Sequence, residues 1–211
     1  MKRFLFQGDS ITDGDRNRIL EDVSSYEIGH SYANVTAAML GAKHPGKLEF
    51  FNRGISGNRI VDLYARIKKD VWNEKPDVLT ILEGINDISH DVWHNNGVEF
   101  ERWIKMYRKL LEETKEKLPN ATIIVGEPFV LHGEISNKNF KEYEKIRERS
   151  KALKSLVEEL GLIFMPLQAI IDEKAKQYGE EVVLADGVHP TVYGAKLIAN
   201  EWLKLFREKV N

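Results

Sequence analysis

The chain has 211 residues, 42% of them apolar and 30% charged, with a formal net charge of −2 and no cysteine. That length suits one domain with a sizeable core, and the near-neutral charge offers nothing to nucleic acid or an anionic membrane, so neither is an expected partner. Disulfides, thiolate catalysis and cysteine-based zinc sites are excluded. No apolar run approaches the ~18 residues of a membrane span, and the first one, soon broken by Gln7 and Asp9, is too short for a signal-peptide core. A cytoplasmic location is the expectation.

In chain order, residues 4–6 read as a buried strand, and the polar stretch 13–26, without periodicity, as a loop. A helix is predicted over 32–40, turn chemistry around Pro45, a short strand over 48–52 and a glycine-bearing loop over 53–58. Ile60, Leu63, Tyr64, Ile67 and Val71 share one face of a helix over 60–72. The unbroken β-prone run 78–82 is a strand of the buried parallel kind, and residues 83–87 form the turn at its end. Phe100, Trp103, Ile104, Tyr107, Leu110, Leu111 and Leu118 give clean helical spacing over 98–118.

A fourth strand covers 122–125. A charged helix over 137–160 turns Ile146, Leu153, Leu156, Val157 and Leu160 inward, and Gly161 stops it as a C-cap would. Strand five at 162–165 is followed by a helix over 167–178, a loop over 186–190 and a closing helix over 191–210. Strands alternating with helices predict a parallel sheet covered on both faces, a three-layer α/β/α sandwich. Right-handed crossovers between five strands suggest the flavodoxin-like order 2-1-3-4-5. No repeat, low-complexity segment or linker divides the chain, so residues 1–211 read as a single domain.

This order carries Ser10, Gly54 and Asn86 to the carboxyl ends of strands one, two and three, where open α/β sheets bind ligands. Asp186 and His189 precede the last helix. A hydroxyl, an imidazole to take its proton and a carboxylate to orient the imidazole are what acyl transfer requires, and Gly54, Asn86 and the Ser10 amide are potential oxyanion donors. Each residue also has a plainer reading. Gly54 suits a turn, Asn86 an Asx turn, Asp186 a cap, and His189-Pro190 the start of a helix.

The stretches Gly8-Asp9-Ser10-Ile11-Thr12, Asn52-Arg53-Gly54-Ile55-Ser56-Gly57-Asn58, Gly84-Ile85-Asn86-Asp87 and Asp186-Gly187-Val188-His189-Pro190 resemble, in order, the four motif blocks of the SGNH (GDSL) hydrolases. The resemblance implies that fold, with Ser10 as nucleophile, His189 as general base and then acid, and Asp186 as its partner. It implies an oxyanion hole from the Ser10 and Gly54 amides and the Asn86 side chain, and neither cofactor nor metal. Within the family the second and third blocks look most like intracellular carbohydrate acetylesterases such as acetylxylan esterases, some of which form higher oligomers. The expected activity is hydrolysis of short acyl esters, acetyl above all, of a small or oligosaccharide substrate, and a homo-oligomer is compatible with it. A lysophospholipase or thioesterase, and an inert carbohydrate-binding module, are the alternatives.

Several other residues invite a role. Ser56 nearly completes a Gly-x-Ser-x-Gly nucleophile elbow but lacks its last glycine. Asp9, Asp13 and Asp15 do not match a calcium loop and read as a solvated acidic loop. His90 and His94 have helical zinc spacing but no His-Glu-x-x-His motif, and read as surface-loop histidines. Asp9 and Asp87, beside Ser10 and Asn86, are candidate substrate contacts, and the resemblance implies that the loop carrying Trp93 roofs the acyl or sugar site. Glu83 and Glu127, at the ends of strands three and four, are expected to meet Arg53 or Arg59, or each other with one protonated, and so to brace the oxyanion loops.

Overall fold

Five runs of β-forming residues lie side by side at the centre of the computed structural model, which describes residues 1–18 and 25–209. The chain forms β1 (Lys2–Gly8), one helical turn α1 (Ser10–Asp13), α2 (Tyr32–Gly41), β2 (Leu48–Asn52), α3 (Ile60–Ile67), β3 (Val78–Leu82), α4 (Asn86–His94) and α5 (Phe100–Lys117). It continues through β4 (Thr122–Gly126), α6 (Phe140–Tyr143), α7 (Ile146–Glu159), β5 (Ile163–Met165), α8 (Gln168–Tyr178), α9 (Glu180–Val183) and α10 (Val192–Lys209). All five strands are parallel and lie in the expected order, β2-β1-β3-β4-β5. The loop predicted over 13–26 falls in part, at 19–24, outside the described residues, as does position 210 of the closing helix.

Side-chain alternation divides each strand between two layers of helices. Phe4, Phe6, Val78, Leu82 and Ile124 pack with Tyr32, Ile171, Ile198 and Trp202 of α2, α8 and α10. Leu5, Leu79, Ile81, Ile123 and Val125 pack with Leu63, Tyr107, Leu110 and Leu153 of α3, α5 and α7. Every residue of β3 is buried, which is why its sequence runs unbroken instead of alternating. Its polar member, Thr80, accepts a 2.8 Å hydrogen bond from the Trp202 indole and satisfies a buried donor. The register pairs Gly8 with Leu82 and Leu82 with Gly126, so the loops after β1, β3 and β4 leave the sheet at one level.

Three regions depart from the sequence pattern. The helix predicted over 60–72 is α-helical only to Ile67 and ends in a π-helical turn, Lys68–Trp72, that still buries Val71. The helix predicted over 137–160 is broken, with a 3₁₀ turn, Ser136–Asn139, and α6 preceding α7. Buried Tyr143 of α6 faces α4, where its hydroxyl lies 2.9 Å from both the Ser89 hydroxyl and the Trp93 indole nitrogen. Helix α7 instead packs on α5 and β5, and one straight helix cannot serve both surfaces. Last, α4 occupies a stretch expected to be a loop. Ile88, Val92 and Trp93 are its only apolar residues, too few to reveal a helical period. No helix among the described residues is long and apolar enough to cross a membrane.

Candidate active site

The turn after β1 is tight because Gly8 has no side chain. A Cβ there would stand 2.2 Å from the Leu82 carbonyl oxygen. Asp9 then caps α1, its Oδ1 accepting the Ile11 amide at 2.9 Å while its carbonyl takes the Thr12 and Asp13 amides. Ser10 is therefore the first residue of a helical turn, and its own amide has no acceptor among the described residues.

Gly54 approaches the same turn from the end of β2, where an added Cβ would lie 2.4 Å from the Asp13 nitrogen. Asn52 ties the two segments together. Its Nδ2 donates to the Thr12 carbonyl at 2.6 Å and the Ile28 carbonyl at 2.8 Å, and its Oδ1 accepts the Gly54 amide at 2.9 Å. The Gly54 amide, expected in an oxyanion hole, thus already has a partner. So does Asn86, at the start of α4, whose Nδ2 donates to the Asn58 carbonyl at 3.0 Å and to Asp9 Oδ2 at 3.3 Å.

On the other side of Ser10, its Oγ lies 2.9 Å from His189 Nε2, and His189 Nδ1 lies 2.7 Å from Asp186 Oδ2. The other Asp186 oxygen accepts the Val188 and His189 amides at 2.9 and 2.8 Å. The 131–136 segment supports this loop, its Leu131 and Ile135 amides donating to the Gly187 and Asp186 carbonyls. Burial pushes the Asp186 carboxyl up, but the hydrogen bonds from the His189 ring and the two amides outweigh it and hold the group below its ordinary value. The Asp186 hydrogen bond raises the His189 imidazole in turn, against the effect of burial. An ionised carboxylate only accepts, so Nδ1 carries the ring hydrogen and Nε2 is free to accept from the Ser10 hydroxyl.

Ser10 and His189 open onto a cleft of about 390 Å³ whose walls include Asp15, His30, Ser31 and Ser56. Ser56 sits in a turn with its amide on Asp13 Oδ2 at 2.9 Å, not in a strand-to-helix elbow.

Other expectations need correcting. Asp9 and Asp87, 0% and 1% exposed, are committed to backbone and Asn86 donors and cannot touch a substrate. Asp13 is buried as well and pairs with Arg18, so of the supposed solvated acids Asp15 alone is exposed. Trp93 does not line the Ser10 cleft. Its indole donates to Tyr143 and Lys138 stacks over its ring at 3.4 Å. His90 and His94 lie on a helix with ring centroids 5.8 Å apart, and no group of three or more potential metal ligands occurs among the described residues. Glu83 and Glu127 meet neither each other nor the expected arginines. Glu127 caps α8 by accepting the Leu167 and Gln168 amides, whereas Glu83 faces Asp9 and Asp87. Arg53 pairs with Glu27 and Glu74, and Arg59 with Asp62.

The chain is similar to known proteins along almost its whole length. The sequence model of the GDSL-like lipase/acylhydrolase family matches residues 6–197. An acetylxylan esterase of Geobacillus stearothermophilus is 32% identical over 212 residues, covering 96% of this chain and 93% of that protein. A solved acetylxylan esterase from the same organism superposes with a TM-score of 0.85 at 31% identity, covering 96% of this chain and 93% of its own. A Parabacteroides merdae protein described by its likeness to GDSL lipases does so with a TM-score of 0.89 at 37% identity, covering 99% and 96% of the two chains. The chain belongs to the GDSL-like lipase/acylhydrolase family and is a carboxylic ester hydrolase.

Proposed function

We propose that this protein removes short acyl groups, acetyl foremost, from carbohydrate hydroxyls through an acyl-enzyme on Ser10. The observation that carries the reading is the relay of 2.9 Å from Ser10 Oγ to His189 Nε2 and 2.7 Å from His189 Nδ1 to Asp186. His189 takes the hydroxyl proton as Ser10 Oγ attacks the ester carbonyl, and Asp186 steadies the imidazolium. The tetrahedral oxyanion meets the free Ser10 amide first. Gly54 and Asn86 add donors by sharing hydrogens with their present partners, as three-centre bonds do. Collapse expels the sugar alcohol, which receives the proton from His189. Water then attacks the acyl-enzyme with the same base, freeing the acid and Ser10.

The substrate assignment is supported by the cleft, where Asp15, His30 and Ser56 offer hydrogen bonds to a hydroxylated ligand and where, among the described residues, the apolar side chains are Ile11, Tyr32, Pro190 and Ala195. The Geobacillus relative points the same way, and solved variants of it described as catalytic mutants replace one serine and one aspartate by alanine. Hydrolysis of p-nitrophenyl acetate, p-nitrophenyl octanoate and acetylated xylose, with Ser10→Ala as control, tests the proposal. Cleavage of both acetates, poor cleavage of the octanoate and an inert variant are expected. A preference for octanoate would discard the carbohydrate, and activity persisting in Ser10→Ala would discard the nucleophile.

A further inference from the structure

The guanidinium of Arg66, on α3, reaches back to the loop that leaves β2 and uses all three of its nitrogens there. Its Nε donates to Asn58 Oδ1 at 2.7 Å, and its Nη2 to the Gly8 carbonyl at 3.2 Å. Its Nη1 donates to the Arg53 carbonyl at 2.7 Å, Asp70 Oδ2 at 2.6 Å and Gln7 Oε1 at 3.2 Å. The Arg66 and Asp70 side chains are only 15% and 16% exposed, a setting in which charge-assisted hydrogen bonds are strong.

Two of these acceptors stand behind the expected oxyanion donors. The Arg53 carbonyl and the Gly54 amide are the two ends of one peptide unit, which is planar and trans, so its N–H points opposite to its C=O. Holding the carbonyl on Arg66 therefore aims the Gly54 N–H the other way, to where Asn52 Oδ1 accepts it at 2.9 Å. A donor at the carbonyl end also polarises the unit and strengthens its N–H. The flanks of this peptide are tied to β1, the Arg53 amide on the Phe6 carbonyl at 2.8 Å and the Ile55 amide on the Gly8 carbonyl at 3.0 Å. Asn58 is the second acceptor. Arg66 holds its side chain while its carbonyl accepts Asn86 Nδ2 at 3.0 Å. Neighbouring arginines do other work. Arg16 donates to the Gly54 carbonyl, which belongs to the next peptide, Arg53 pairs with Glu27 and Glu74, and Arg59 with Asp62.

We propose that Arg66 is a positioning residue of the oxyanion hole, its forked guanidinium fixing the Gly54 amide directly and the Asn86 side chain through Asn58, with Asp70 fixing the fork. The part in turnover rests on the esterase reading above; the placing of the two amides does not. Lysine cannot take over this work. Its ammonium is a point charge with three donors, whereas the guanidinium sends N–H groups in fixed directions to five separate acceptors.

Three forms are compared, the parent, Arg66→Lys and Arg66→Met. With p-nitrophenyl acetate the methionine variant should lose about 10²-fold in kcat and the lysine variant about tenfold, both with KM nearly unchanged, as expected of misplaced donors. A merely structural role would lower the unfolding temperature and leave the kcat of the folded fraction alone. Proton–nitrogen correlation spectra of the resting proteins give a readout that needs no turnover, and Arg66→Lys keeps the comparison open should the methionine variant not fold. The Gly54 backbone amide and the Asn86 side-chain amide should both shift in the lysine variant. Parent-like kcat in Arg66→Lys, a loss confined to KM, or unmoved Gly54 and Asn86 resonances would overturn the inference. A parent inactive on every ester would instead overturn the esterase reading and the part of Arg66 in turnover, with the two resonances still deciding whether Arg66 places the amides.

Discussion

Ser10 stands between two groups of acids built on opposite terms. On one side Asp186 is partly exposed, receives hydrogen bonds from a ring nitrogen and two amides, and is held below its ordinary pKa. On the other, Asp9, Glu83 and Asp87 are sealed from solvent with few donors, and burial raises all three. The residue types are nearly the same; the supply of donors and of water differs. That difference separates an anion able to steady a charged imidazole from buried acids whose neutral form is favoured.

The contrast breaks first at Asp186. Asp186→Asn should lower kcat for p-nitrophenyl acetate by about 10⁴-fold, because the amide holds the wrong His189 tautomer. The acid limb of kcat/KM should also move. His189 accepts a proton only when neutral, and Asp186 raises its pKa, so whatever activity the variant retains should set in at lower pH than the parent's.

Next in size is the buried side's effect on the oxyanion. Asn86→Ala should cost about 10²–10³ in kcat with little change in KM, read from full saturation curves. A loss confined to KM would make Asn86 a substrate ligand and not an oxyanion donor.

Stability against pH separates the two acid groups by sign. Asp87 is raised by burial from 3.8 to about 7, so its folded form keeps a proton that the unfolded chain has released. Its contribution is full below the unfolded pKa and is lost as pH rises through about 7. Asp186, held low, behaves oppositely: its contribution is present above the ordinary carboxyl pKa and is lost as pH falls through the folded value. Denaturant titrations of Asp87→Asn should therefore show the variant gaining on the parent between pH 4 and pH 8. A difference that stays constant with pH would remove the claim that Asp87 is protonated in the fold.

The smallest effect belongs to Glu127, which sits at a strand end as Glu83 does but serves a helix cap. Glu127→Ala should cost roughly 1–2 kcal/mol of stability and leave kcat as it was. A drop in kcat would tie Glu127 to the site.

The sheet order was legible because β3 is an unbroken β-prone run while glycine and proline mark the turns, and strand ends on one edge gathered Ser10, Gly54 and Asn86. The meeting of Ser10 with His189 and Asp186 was implied instead by the resemblance of the motif blocks. The surroundings of the acids were not. An aspartate after a strand has the same letters whether it is solvated, like Asp15, or sealed, like Asp9 and Asp13, since burial depends on segments far away in the chain. Asn52 illustrates the point. It lies inside a motif block, yet its work of joining β2 to the Ser10 turn depends on Thr12 and Ile28, and no spacing in the sequence announces that. Helix α4 escaped notice for a related reason, because it covers the strand ends with polar residues and shows almost no apolar stripe.

The central claim is that Ser10 is a nucleophile activated through His189. The most direct test is intact-mass and peptide-map analysis after reaction with a fluorophosphonate, run on the parent and on Ser10→Ala. One adduct on Ser10, absent from the variant, is the predicted result. An unreacted parent, or an adduct on Ser56 that survives in Ser10→Ala, would contradict the account.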